Sequence, residues 1–377
     1  MRKLEGGKIS CFQLALLIVG CYLGANLILN PGQLIGRDAW LAVLAGLGEG
    51  LFFVGVVLTL AARFKGQTLI QINDLIFGPY LGKVISLVYL WYFLHLASLV
   101  LRSFGDFFVA TIYPETPILV FIIMLVLVCA SAVRNGLEVL VRCSMILVPL
   151  ALLEIIFDTA LLLKDMDFAN FLPVLDVPWQ EFLKVSNGVA AFPFGEAIVF
   201  LLILPFTTDQ KKIGTTVIMA VIVVGLFLAL VVARNTAVLG AAATIQTYPS
   251  FPAIRLINIA KILTRLEIII AVNLLTMGFI KVSFFYYSTV LGLAQLLQLR
   301  SYLPLVLPLG AILVSLSILQ FESNIENIRF AFQIYPYYAP FFQLGLPLLS
   351  LIIAVIKGLP KKRKENGGKE EIGEGVG

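Results

Sequence analysis

Lys281 stands in the middle of the apolar run 265–297, and a buried ammonium there must be paired, deprotonated or standing in for a metal cation. Eight other ionisable groups share its situation: Glu49, Arg102, Asp106, Arg142, Glu154, Asp158, Glu196 and Glu267, together with the single histidine, His95. Each costs about 2.5–3.5 kcal/mol in hydrocarbon, so each should face the interior and find a partner. Arg102 and Asp106 are spaced i, i+4, which predicts a local ion pair. Glu154 and Asp158 have the same spacing but repel, which calls for a cation such as Arg142 or Lys281, or for a carried proton. Glu196 follows PheProPheGly at 192–195, where it can cap the half-helix that starts there or touch a ligand. Tyr92 and His95 lie on one stripe with Leu96 and Leu99, where a histidine serves as an interior hydrogen-bonding group or as a proton relay. Asn273, Met277, Lys281, Phe285 and Ser288 form a semi-polar stripe that should face a site. His95, Glu196, Glu154 and Asp158 are the candidates for coupling or structural charges.

The elements that hold these groups are membrane helices. The 377 residues are 60% hydrophobic and 13% charged with a mean hydropathy of +1.00, more apolar surface than a soluble domain can hide. The fold class expected is an all-α integral membrane protein of about ten spans: 10–35, 39–63, 80–112, 117–134, 137–163, 185–206, 212–238, 265–297, 302–320 and 336–357. The basic start (Arg2, Lys3, Lys8) precedes a run too long for a signal peptide and without a small-residue cleavage site, so it reads as a retained first helix. Residues 1–357 make a single polytopic membrane domain, and 358–377 a disordered tail too poor in apolar residues to fold. Lys and Arg collect at both ends and after spans two, four, six and eight, which places both termini in the cytoplasm; Arg255, Lys261 and Arg265 run against that trend. Residues 247–263 read as an amphipathic helix on the outer surface, and 164–184 as a loop with a short helix after Trp179.

The same composition excludes several classes. Cys11, Cys21, Cys129 and Cys143 stand singly, without CxxC or Cys/His spacing, so neither disulfides nor a zinc site is expected. The net charge of +5 comes from helix ends and a basic run at 361–364, a membrane-orienting pattern that implies no nucleic-acid partner. No HExxH or GxSxG occurs in suitable context, and the chain is expected to be no enzyme and to need no metal or cofactor.

Two spans carry helix-weakening residues near their middles: Gly20 to Asn26 in span one and Phe192 to Glu196 in span six. Each opens a set of five, so the halves read as inverted copies with discontinuous helices 1 and 6. Paired breaks at corresponding positions point to a small-molecule site at the bilayer midplane. Exposed N–H groups at one half-helix start and carbonyls at another suit a ligand bearing both charges, so a zwitterion such as a free amino acid is the expected ligand class.

PheProPheGlyGlu at 192–196, LeuPro at 204–205, LeuGlyAla at 23–25 with Pro31 beyond, TyrProSerPhePro at 248–252 and ArgLeuGlu at 265–267 together resemble the spore germination permease family, the B subunits of GerA-type nutrient receptors. The resemblance runs over residues 8–357 and rests on order and spacing. It implies the LeuT-like 5+5 inverted repeat of the amino acid, polyamine and organocation superfamily. It also implies a germinant receptor of the spore inner membrane, commonly for an amino acid, acting with an A-type membrane subunit and a C-type lipoprotein. Carried over, the pocket positions are Gly24, Tyr92, Leu96, Phe194, Gly195, Lys281 and Phe285. Lys281 replaces a small hydroxylated residue, and Phe285 a tyrosine, of some amino-acid-sensing members, which argues against L-alanine as ligand. The competing expectation is a proton-coupled amino acid permease using the same pocket.

Overall fold

A computed structural model describes residues 5–29, 31–257 and 267–360; Arg265, residues 258–263 of the expected surface helix and most of the tail lie outside the described residues. Among the described residues every named element is helical. The order is α1 Cys11–Asn26, α2 Ala39–Arg63, α3 Leu69–Phe77, α4 Leu81–Thr111, α5 Ile118–Arg134, α6 Leu137–Leu162 and α7 Trp179–Ala191. It continues with α8 Ile213–Leu239, α9 Ser250–Arg255, α10 Glu267–Leu296, α11 Leu303–Leu319, α12 Asn324–Arg329, α13 Tyr335–Pro340 and α14 Leu346–Ile356. Seven helical stretches are long and apolar enough to cross a membrane, and α1, α5 and α11 are shorter apolar helices. Met124, Leu127 and Val128 of α5, with Leu150, Leu153 and Ile156 of α6, point outward, as lipid-facing surfaces require. The chain is a multi-pass integral membrane protein.

α1 starts where it does because Ser10 and Gln13 cap each other: Ser10 Oγ accepts from Gln13 N at 3.2 Å, and Gln13 Oε1 from Ser10 N at 2.8 Å. Ser10→Ala is expected to cost about 1 kcal/mol, read as a lowered unfolding midpoint and faster amide exchange confined to the first turn of α1.

The break in span one is not where the sequence placed it. Gly20 to Asn26 are helical, and the helix ends after Asn26, giving way to a turn at 27–29 and a tight 3₁₀ segment, Pro31–Asp38, kinked at Ile35 and Gly36. The glycines serve close approach instead. A Cβ on Gly20 would come within 2.8 Å of Val148 Cγ2, and one on Gly24 within 2.9 Å of Lys281 Cβ. In a bilayer, where each freed backbone group lacks water, the contacts of small residues outweigh their roughly 1 kcal/mol helix penalty.

Span six breaks at the expected residues. α7 gives way at Phe192, its C-cap, whose backbone is extended, and beyond Pro193 the chain runs as 3₁₀ turns, Phe194–Leu202 and Leu204–Phe206. The short helix expected after Trp179 is no separate element; it is the first half of this span. The starting end of span one and the finishing end of span six are tied by backbone: Ile9 N donates to Phe206 O at 3.0 Å, and Thr208 N to Ile9 O at 2.9 Å. The last span holds two π-helical turns, Phe330–Ile334 and Phe341–Gly345, on either side of α13. α9 turns Phe251 and Ile254 into the protein rather than toward lipid, with Phe251 edge-on to Phe107 of α4 at 5.9 Å.

Candidate functional site

At the centre lies one ion pair. Lys281 Nζ of α10 stands 2.7 Å from Glu196 Oε2, just past the break in span six, and neither side chain touches solvent. The contact is off the line of a hydrogen bond, so it is held by charge and leaves the ammonium with donors to spare. Two aromatic faces supplement it: Nζ lies 4.8 Å from the Phe192 ring centre and 5.8 Å from that of Phe285. Glu196 therefore acts as the counter-charge of Lys281, not as the side-chain cap of the following turns.

The ion pair is one end of a buried polar chain. Tyr335 donates to Glu196 Oε1 at 3.5 Å and lies 3.2 Å from the Tyr92 hydroxyl. Gln343 Nε2 donates to Tyr92 at 2.8 Å, to Tyr335 at 3.2 Å and to Ala191 O at 2.8 Å. Ala191 is the last residue of α7, so Gln343 satisfies a carbonyl that the break releases. Tyr22 of α1 does the same for Phe194 O at 3.2 Å. The peptide groups near the breaks, expected to stand bare for a ligand, are thus partly claimed by side chains.

Next to this chain is a small cavity of about 20 Å³, room for a water or two. Leu29, at the first break, and Phe192, at the second, both line it; Leu96 and Leu99 of α4 and Phe330 and Tyr335 of the last span complete most of its wall. Phe192 lines the cavity and covers Lys281, so its ring is the partition between free space and the ion pair. A larger cavity of about 740 Å³ opens at the end where the described chain begins, lined among others by Glu5, Lys8, Asp74, Lys83, Gln295 and Arg300.

The pocket positions expected from sequence fall into layers. Leu96 lines the small cavity, while Lys281 and Tyr92 reach it through Phe192 and Tyr335. Gly24 makes room for the Lys281 stem, Gly195 lies against Gln343, and Phe285 sits beneath the ammonium. Phe194 is buried with its ring edge-on to Tyr22 at 6.1 Å. His95 is held apart from the ion pair, with Nδ1 3.2 Å from Tyr338 Oη and its ring stacked on Trp91.

Glu154 and Asp158 belong elsewhere. Neither cation expected for them is near: Arg142 is exposed and pairs with Glu138 at 3.4 Å, and Lys281 is engaged by Glu196. Their cation is Arg234 of α8, which shares a second small cavity with them. The stripe on α10 is buried throughout but serves both clusters, Asn273 meeting Glu154 and Lys281 meeting Glu196. Sequence reading missed Arg234, Tyr335 and Gln343, and took Phe192 only as part of the break. Arg234 could have been found as a charge inside the apolar run of span seven. Tyr335 and Gln343 could not, because the π-helical turn that ends at Gly345 shifts the register that ordinary helical spacing assumes.

With interrupted helices near a buried ion pair, this is a multi-pass membrane protein whose fold is similar to that of a LeuT-like transporter. The solved structure of MhsT in complex with L-phenylalanine matches it with a TM-score of 0.59 over 96% of this chain and 91% of its own, at 17% identity. The chain belongs to the spore germination protein family, whose sequence model matches residues 8–325. It is 32% identical to spore germination protein KB of Bacillus subtilis (strain 168) over 373 residues, 98% of this chain and 99% of the relative. It is 21% identical to spore germination protein XB of Bacillus anthracis over 359 residues, 94% of this chain and 99% of that protein.

Proposed function

We propose that this chain is the nutrient-binding subunit of a germinant receptor in the spore inner membrane. It holds an amino-acid-like ligand between the two breaks and triggers germination with an A-type membrane subunit and a C-type lipoprotein, without catalytic turnover. Residues 1–357 form one membrane domain crossing ten times as two inverted sets of five, with both termini, the tail from 358 and the 740 Å³ cavity on the cytoplasmic side.

The observation that carries this reading is the meeting of Leu29 and Phe192 at one cavity, with Lys281 and Glu196 directly behind Phe192. About 20 Å³ holds no amino acid, so binding selects a rearranged state in which the Phe192 ring swings aside. A zwitterion then meets both members of the pair, its carboxylate at Lys281 and its ammonium at Glu196. That exchange is charge-neutral, so no bare ion is left in the low-dielectric interior. A neutral sugar offers no such exchange.

The test is equilibrium binding of a labelled amino acid panel to the purified full chain in lipid nanodiscs. Some zwitterion is expected to bind, with analogues lacking either the amine or the carboxylate weaker by about tenfold to hundredfold. Equal binding of such analogues, or binding confined to uncharged nutrients, overturns the reading. Phe192→Ala enlarges the cavity and is expected to shift preference toward bulkier amino acids by about tenfold, read as a ratio of dissociation constants.

The wide cavity open to one face favours a second reading, the proton-coupled amino acid permease. Proteoliposomes of the purified chain separate the two: accumulation of label driven by a pH gradient marks a permease, and saturable binding without accumulation a receptor subunit.

A further inference from the structure

We propose that Glu154 and Asp158 share a single exchangeable proton, making a second ionic site beside the break in span one and remote from the Lys281 pair. Both residues project from α6 one turn apart and line the same small cavity. Two ionised carboxylates so placed repel where water is scarce, so something positive must lie near them. Arg234 of α8 supplies part of it. Its side chain is buried, lines the same cavity as both acids, and donates to Asn235 Oδ1 from Nε at 3.3 Å and Nη2 at 3.1 Å. One guanidinium against two carboxylates still leaves one negative charge, and it is the only other charged side chain lining this cavity among the described residues.

The hydrogen bonds of the cluster are incomplete as well. Asn273, only 8% exposed, donates from Nδ2 to Ala151 O at 3.3 Å and to Glu154 Oε2. Its own Oδ1 and Glu154 Oε1 are buried with no partner, at residues bordering a cavity of about 20 Å³. Among the described residues the cluster is therefore one charge and at least one donor short, and a proton supplies both. A divalent metal ion would need about six or more oxygens and would sit against the guanidinium, which makes it the poorer fit. The remaining wall includes Leu27, the first residue after α1, with Ser250 and Ile254 of α9. Proton release would place a bare charge against the break itself, linking cation occupancy to the shape of span one whether or not the nutrient reading holds.

Infrared spectroscopy of the full chain in nanodiscs at pH 7 reads this directly, in the carboxylic C=O region, in H₂O and D₂O. The wild type is expected to show a protonated-carboxyl band that shifts in D₂O. Glu154→Gln and Asp158→Asn should each abolish it, because the surviving carboxylate then pairs with Arg234 alone. Absence of any such band in the wild type overturns the proposal without need of a variant. So does a band that survives in both variants, or in Asp158→Asn alone, which would mean burial by itself protonates Glu154. Stabilisation of the wild type by sodium chloride but not choline chloride, lost in either variant, would assign a sodium site instead.

Discussion

Lys281→Met is expected to destabilise the folded chain by about 3–5 kcal/mol and to abolish ligand binding, because it strands a fully buried Glu196 without its counter-charge. The larger part of that loss is the cost of the orphaned acid, not the worth of the attraction. The double variant Lys281→Met/Glu196→Gln should therefore recover at least half of the stability while binding stays lost, since no charged partner remains for a zwitterion. Thermal melting in nanodiscs and binding measured on the same samples check both halves. If the double variant melts no higher than the single one, the ion pair is not what holds these helices together here. If the double variant binds normally, the ligand lies elsewhere.

Arg102→Met should be similarly severe, at about 3–5 kcal/mol, but by a different route. Arg102 Nε lies 3.0 Å from Asp106 Oδ1, while Nη1 donates to the carbonyls of Phe321 at 2.7 Å, Ile318 at 3.2 Å and Ser317 at 3.4 Å. One guanidinium thus ends α11 against α4 as well as neutralising an acid. Asp106 in turn accepts from Asn327 at 2.9 Å, and Asn327 borders the small cavity. Arg102→Lys keeps the charge but loses the planar fork, and is expected to recover only part of the loss. Hydrogen exchange should localise the damage to residues 317–329, and a uniform loss of protection would contradict this account.

What the sequence revealed followed the range of its interactions. The Arg102–Asp106 pair was legible because four residues along a helix fix geometry locally. The break at Phe192 and Pro193 was legible because proline removes a donor whatever the surroundings. The break in span one was misplaced because Gly20 and Gly24 look like weak points until Val148 and Lys281 are seen filling the room they leave. Glu196 and Lys281, 85 positions apart, were each recognised as needing a partner, but nothing local said they would choose each other. Arg234 was passed over for the same reason in reverse: its acids sit on another helix, so no spacing rule connects them. Membrane character and family are spread along the whole chain, whereas the site is made of encounters between distant segments.

The two backbone hydrogen bonds that join Ile9 to Phe206 and Thr208 give the interrupted spans a common root. A sliding motion of one past the other would have to tear that seam, so rigid translation is the costly route. Tilting about it leaves both bonds intact. The far halves, beyond residues 27–29 and 192–193, can splay like the blades of shears while their handles stay fastened, and an opening produced this way would face the membrane side opposite the wide polar mouth.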